Sequence, residues 1–235
     1  MRRRPRTPAQ SDPSTPVSGT ITAISAQARD PERVNVFVDG RFAFGMTRLL
    51  AAEQGLAVGE ELSAERVATL RALDDQQRAL EAAFRLLTRR PRSEREIRDR
   101  LERHGFAPPV IDAVIAKLEA WRYVDDEEFA RYWVEQREAN RPRGRRLLEQ
   151  ELWQKGIDRE IVRATLDEAN LDEPAAALEL ARAKLPSYRR LEPAVARRRL
   201  GAFLQRKGFS YETVRTVLRE LGEIGEGDPA LDDDV

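Results

Sequence analysis

The chain contains no cysteine and a single histidine, His104. The first absence excludes disulfides, thiolate nucleophiles and cysteine metal sites, and it suits a reducing cytoplasm, where the protein is expected to work. Together the two shortages remove the usual nucleophile–base pairs of covalent catalysis. No run of eighteen apolar residues occurs, so no membrane-spanning helix is expected. A secretory signal is lacking as well, because the basic start Met1-Arg2-Arg3-Arg4-Pro5-Arg6 leads into Thr, Pro, Ser and Asp instead of an apolar segment. There is no phosphate-binding loop of the G-x-x-x-x-G-K-[ST] type. An enzyme, a metal site and a bound cofactor are therefore not expected.

Lysine is also scarce: Lys117, Lys155, Lys184 and Lys207 are all there are, within a basic total of 41 that 41 acidic residues balance. Zero net charge hides a partition. Residues 1–18 carry +3 and residues 223–235 carry −6. Both ends have little to bury, and both are expected to be disordered. The arginine bias suits bidentate contacts to carboxylate or phosphate, and base composition of the genome is the other explanation.

What the chain does have is repetition. Leu101-Glu102-Arg103-His104-Gly105-Phe106 returns as Leu152-Trp153-Gln154-Lys155-Gly156-Ile157 and as Leu204-Gln205-Arg206-Lys207-Gly208-Phe209, with the glycines 51 and 52 residues apart. A period near fifty residues signals tandem copies of one supersecondary unit. Within each copy the apolar residues fall at helical spacing: Leu80, Ala83, Phe84 and Leu87 begin the first. Ser93 and Glu96 read as a capping box that starts a second helix. Gly105 reads as its left-handed stop. Pro108 and Pro109 open a third. Repeats over residues 74–123, 124–171 and 172–222 each predict three helices.

Ahead of them, residues 19–73 change to a period of two. Val34, Val36 and Val38, then Asp39-Gly40, then Phe42 and Phe44 predict a hairpin, with Thr20–Ile24 as a third strand. Short helices from Thr47 to Glu53 and from Ser63 to Ala72 complete a small α+β cap. The fold class is thus mainly α: three tandem three-helix repeats, expected to form an elongated curved array, behind an N-terminal β-hairpin and helix cap.

Candidate binding residues recur with the same period. Arg89-Arg90-Pro91-Arg92-Ser93 and Asn140-Arg141-Pro142-Arg143-Gly144 occupy equivalent loops, Arg145 and Arg146 extend the second, and Arg197 and Arg198 fall in the third repeat. Such a guanidinium edge can meet phosphates or an acidic protein surface. It can equally coat helix ends, paired with Glu94, Glu96 and Glu149. Asp125-Asp126-Glu127-Glu128 would need to converge with other elements to hold a metal, and acids at a helix start favour the macrodipole, so a capping role is expected. His104 alternates with lysine between repeats, which marks a helix-end charge. Trp133 and Trp153 stand beside apolar positions and are expected in the core.

In order and spacing, Arg33-Val34-Asn35-Val36-Phe37-Val38-Asp39-Gly40-Arg41-Phe42-Ala43-Phe44, Ser93-Glu94-Arg95-Glu96-Ile97, Tyr123-Val124-Asp125-Asp126-Glu127-Glu128-Phe129-Ala130 and Gly144 through Ile157 together resemble the RecX family of recombination regulators. The resemblance covers about residues 19–222, with the third repeat matching least. It implies a protein that binds the RecA recombinase in the groove of its filament on DNA. Growth, ATPase and strand exchange would be restrained there without a catalytic site. A monomer is expected. The arginine loops could also touch single-stranded or duplex DNA, and the alternatives are a helical-repeat protein whose helix-turn-helix-like triplets bind DNA directly, and a hydrolase built on the acidic cluster.

Overall fold

The computed structural model describes residues 18–227, with side chains as far as Gly222. They form two compact units, one running up to Val124 without Ser93–Arg95, the other joining Ser93–Arg95 to the chain from Asp125 onward.

In the first unit, β1 (Gly19–Gln27), β2 (Asp30–Val38), β3 (Arg41–Thr47) and β4 (Glu61–Leu62) make an antiparallel sheet in the order β3-β2-β1-β4. The expected hairpin is present. Asp39 and Gly40 both take positive φ, 48° and 76°, as a two-residue turn with right-handed strand twist requires. Asp39 Oδ1 accepts from Thr20 N–H at 3.1 Å, tying the turn to β1. Val34, Val36 and Val38 share the buried face with Ile21, Phe44 and Met46. The two-residue strand β4 carried no alternating signal of its own.

Helix α1 (Arg48–Glu53) is capped by Thr47 and α2 (Ala64–Leu87) by Ser63, each through its hydroxyl oxygen. A break after Ala72 was expected, and none occurs. No glycine or proline lies between Ala64 and Leu87, and the polar stretch at Asp74 is drawn inward, where its carboxylate meets Arg33 of β2 at 2.8 Å. One helix therefore serves two cores. Val67 and Leu70 pack on the sheet, while Ala79, Ala82 and Ala83 pack with α3 (Glu94–Arg103) and α4 (Pro108–Ala120). Ile97, Leu101, Ile111, Val114, Ile115 and Leu118 fill that second core, as their spacing predicts.

The second unit holds α5 (Asp126–Asn140), α6 (Arg145–Gln154), α7 (Arg159–Glu168), α8 (Glu173–Lys184), α9 (Pro193–Arg206) and α10 (Tyr211–Gly227), with a 3-10 turn at Leu185–Tyr188. That makes ten α-helices among the described residues, against the eleven expected, because α2 unites two of them. Asp125 caps α5 by accepting from Glu128 N–H at 2.9 Å, the role its acidic cluster predicts. Helix α10 is described through Gly227, five residues into the stretch read as acidic tail. Its apolar spacing carries on from Leu221 to Ile224, and glycine costs a helix interior only about 1 kcal/mol. Residues 1–17 and 228–235, the rest of the two expected tails, lie outside the described residues.

The three glycine corners match. Gly105, Gly156 and Gly208 have φ of 84°, 86° and 90°. At each corner the glycine N–H donates to the carbonyl three residues back and the next N–H to the carbonyl five back: Phe106 to Leu101, Ile157 to Leu152, Phe209 to Leu204. This paired bonding satisfies the last carbonyls of α3, α6 and α9 and needs a residue without a Cβ clash at positive φ.

Trp153 departs from expectation. It is 45% exposed, with Arg159 over its ring at 5.6 Å, because Leu148 and Leu152 take the buried stripe and the next residue turns about 100° away. Trp133 does pack inward, against Phe129 at 5.8 Å.

Candidate functional site

The arginine loops are built from short, proline-stiffened connections that lead into α3 and α6. In the loop before α3, Arg90 grips Glu96 with two nitrogens, at 2.9 and 3.0 Å. Arg92 reaches the same carboxylate only at 3.9 Å. Its Nε–H is buried and has no hydrogen-bond partner among the described residues. Burial, then the neighbouring Arg90, lowers the Arg92 pKa below the ordinary guanidinium value.

The loop before α6 has the same shortage of acceptors. Glu151 accepts from Trp133 Nε1 at 2.9 Å and Arg137 Nε at 2.7 Å. Arg143 comes within 3.5 Å of that carboxylate without hydrogen-bonding geometry, so its buried Nε–H is also left without a partner. Arg141 and Arg146 are exposed. Arg145 is committed inside the unit, to Glu149 at 3.2 Å, Asp167 at 2.6 Å and the Leu166 carbonyl at 3.2 Å. Arg197 and Arg198 are exposed on α9.

Two contacts of one design set these groups within the second unit. Glu94 N–H donates to Asp126 Oδ1 at 2.9 Å, and Arg145 N–H donates to Glu173 Oε1 at 2.6 Å. A carboxylate from the first turn of one helix thus satisfies an orphan amide at the start of another, a charge-assisted bond of about 1.5–3 kcal/mol. Beside each bond lies a glycine corner. Ser93 Oγ donates to the Lys155 carbonyl at 2.7 Å, and Gly144 N–H donates to the Lys207 carbonyl at 2.9 Å. A Cβ on Gly156 would overlap the Arg95 side chain, and one on Gly208 would overlap Leu147. The recurring glycines therefore end helices and also admit a neighbour at close range.

This second contact brings Lys207 beside the arginine loop. Burial, then Arg143 and Arg141, lowers the Lys207 pKa below the ordinary lysine value, against the opposite pull of Glu151. Arg137 lies over the Trp133 ring at 4.2 Å and Lys155 at 4.9 Å, so the indole is flanked by two cations. Sequence reasoning singled out Arg141 and Arg143 and passed over Arg137, Glu151, Lys155 and Lys207. The lysines at matching corners were the available signal, and they were read as helix-end charges.

Among the described residues no helix is long and apolar enough to cross a membrane. Models of the RecX family match along the chain: the N-terminal domain of the regulatory protein RecX at residues 19–63, and the first, second and third RecX three-helix domains at 79–118, 125–166 and 172–218. The chain is 31% identical over 201 residues to the regulatory protein RecX of Bacillus licheniformis, covering 85% of this chain and 76% of that one. It is 33% identical to that of Bacillus velezensis over the same length, with the same coverage. A crystal structure of a regulatory protein RecX superimposes with a TM-score of 0.65 at 24% identity, covering 84% of this chain and 98% of the other, and shares its fold. The RecX protein of Lactobacillus salivarius superimposes at 0.57 and 24% identity, covering 64% and 98%. Four domain models in order and relatives matched over most of both lengths leave one conclusion: the chain belongs to the RecX family of regulatory proteins.

Proposed function

We propose that this protein binds the RecA recombinase within its filament on DNA and restrains filament growth, ATP hydrolysis and strand exchange. It acts as a cytoplasmic monomer, through its surface and without a reaction centre of its own. The family name supports regulation of RecA. The observation that carries the contact is the repeated surplus of guanidinium over carboxylate in the two loops, around Arg90 and Arg92 and around Arg141 and Arg143. Arg146, Arg197 and Arg198 extend the exposed cationic surface. Several modest contacts from like modules to like subunits gain from effective concentration, so the whole chain binds more tightly than any one module.

The test is inhibition of DNA-dependent ATP hydrolysis by RecA. Arg141, Arg146, Arg197 and Arg198 are exposed, and their joint replacement by alanine is expected to weaken inhibition while far-UV circular dichroism stays unchanged. Arg145 is left intact because Asp167 and Glu149 hold it. Undiminished inhibition by the fourfold variant would end the arginine-edge reading.

A further inference from the structure

The third repeat concentrates basic residues in a stretch of chain that holds almost no acid. Residues 182–199 carry seven basic side chains against the single carboxylate of Glu192, a net charge of +6. Glu192 is engaged as the cap of α9, accepting from Val195 N–H at 3.2 Å. In the second repeat Glu151, five residues before the glycine corner, takes Arg137; the same place in the third is Phe203. Arg189, Arg190, Arg197, Arg198 and Arg199 are all exposed.

The matching acid follows α10. Residues 223–235 contain six acidic residues and no basic one, a net charge of −6. Packing of α10 on α9 delivers that segment to the arginines. A Cβ on Gly201 of α9 would stand 3.3 Å from Leu218 and 3.6 Å from Val214, and one on Gly222 would stand 3.7 Å from Arg197 Nη1. The two helices therefore run antiparallel, with the end of α10 beside the start of α9. From Gly222 to Gly227 the helix advances about 7.5 Å, which brings its end roughly level with Pro193, next to Arg189 and Arg190. The eight residues 228–235 span at most about 29 Å when extended, against about 21 Å for the whole of α9. They are long enough to return along its exposed face. Guanidinium forks there can take the carboxylates of Asp228, Asp232, Asp233 and Asp234.

We infer that the arginine face at the start of α9 is a binding surface for an acidic segment, and that residues 228–235 of the same chain occupy it. Covalent attachment holds the segment at an effective concentration on the order of millimolar, so modest ion pairs fill the surface until a partner displaces them. The segment thereby competes with the recombinase for Arg197 and Arg198. That competition rests on the arginine-edge reading above; the docking itself does not.

The chain has no cysteine, so Val235→Cys gives a single attachment point for a nitroxide on the full chain. Paramagnetic broadening of backbone amide signals is expected over residues 189–198 at low salt. It should vanish in about 1 M salt, where the screening length is about 3 Å. It should vanish too in the fourfold variant Asp228→Asn, Asp232→Asn, Asp233→Asn and Asp234→Asn. Without the nitroxide, that variant is expected to reach half-inhibition of ATP hydrolysis by RecA at a concentration roughly fivefold lower, the order that several exposed ion pairs supply together. Sharp wild-type signals, or broadening that the asparagine variant keeps, would overturn the docking. So would broadening between a spin-labelled chain and a separate isotope-labelled one, which would assign the segment to a second copy. Broadening with an unchanged half-inhibition concentration overturns the competition. Failure of wild type and variant alike to inhibit sinks the recombinase reading, and the amide signals still decide the docking.

Discussion

The loop before α3 and the loop before α6 carry the same Arg-x-Arg pattern around a proline, 51 residues apart, yet they balance their charge differently. Arg90 is met by a dedicated partner, Glu96, in a bidentate pair. The second loop must share Glu151 with Arg137 and Trp133 while Lys207 stands next to it. Each loop nevertheless leaves one buried Nε–H unsatisfied, at the equivalent residues Arg92 and Arg143. Like sequence placed the guanidinium groups at like positions. The supply of nearby carboxylates decided how large a positive surplus each loop keeps.

The comparison can be broken most severely at the residue that follows each loop arginine. Ser93 fits where it is and donates to Lys155, whereas a Cβ at Gly144 would overlap the Gly208 carbonyl group. Gly144→Ser, which makes the second loop read like the first, is therefore expected to cost about 2–3 kcal/mol by overpacking, measured by urea unfolding. The reverse change, Ser93→Gly, forces no overlap and should cost less, about 1 kcal/mol for the lost bond to the Lys155 carbonyl. Equal costs would mean that the two loops seat against their corners alike.

A smaller effect separates the two carboxylates. Glu96→Gln removes the charged partner of Arg90, and Glu151→Gln removes that of Arg137; each should cost about 1–2 kcal/mol in urea unfolding, since hydrogen bonds to charged groups exceed neutral ones. Inhibition of DNA-dependent ATP hydrolysis by RecA distinguishes them. Glu151→Gln is expected to strengthen inhibition, because it frees the second loop's guanidinium groups from an offsetting charge, and weaker inhibition would show that Glu151 orders those groups instead of merely offsetting them.

The smallest effect belongs to the corners. Lysine stands at Lys155 and Lys207, and histidine at His104, whose pKa is pushed below the ordinary histidine value by burial, then by Arg100, Arg85 and Arg103. The unfolded chain then binds the proton more readily than the folded one. Stability from this group is present above the ordinary histidine pKa near 6.5 and lost as pH falls through the lower folded value. Melting temperature should accordingly drop between pH 7 and pH 5 by more in the wild type than in His104→Gln, and identical pH profiles would remove the effect.

Much of the architecture was legible because it follows from local rules. Asp39-Gly40 between alternating residues defines its hairpin, and each glycine after a leucine-led helix end defines its corner. Asp125 behaves as a cap because the acceptor and the orphan amide are three residues apart. The union of two expected helices in α2 was not legible, since Asp74 is a helix interior residue only once Arg33, 41 residues away, has drawn it inward. Trp153 was misplaced because periodicity shows where a stripe runs but not how many neighbouring positions it covers.

By itself the amino-acid order determined the repeats, the corner geometry and the recurrence of arginine at equivalent loops, all consequences of bonds and spacings within a few turns of chain. Tertiary structure alone decided which arginines are spent and which remain available. Arg145 is held by Asp167, 22 residues on, and Arg143 is joined by Lys207, which follows it by 64. Electrostatic balance depends on distances in space, and those exist only after the chain has folded.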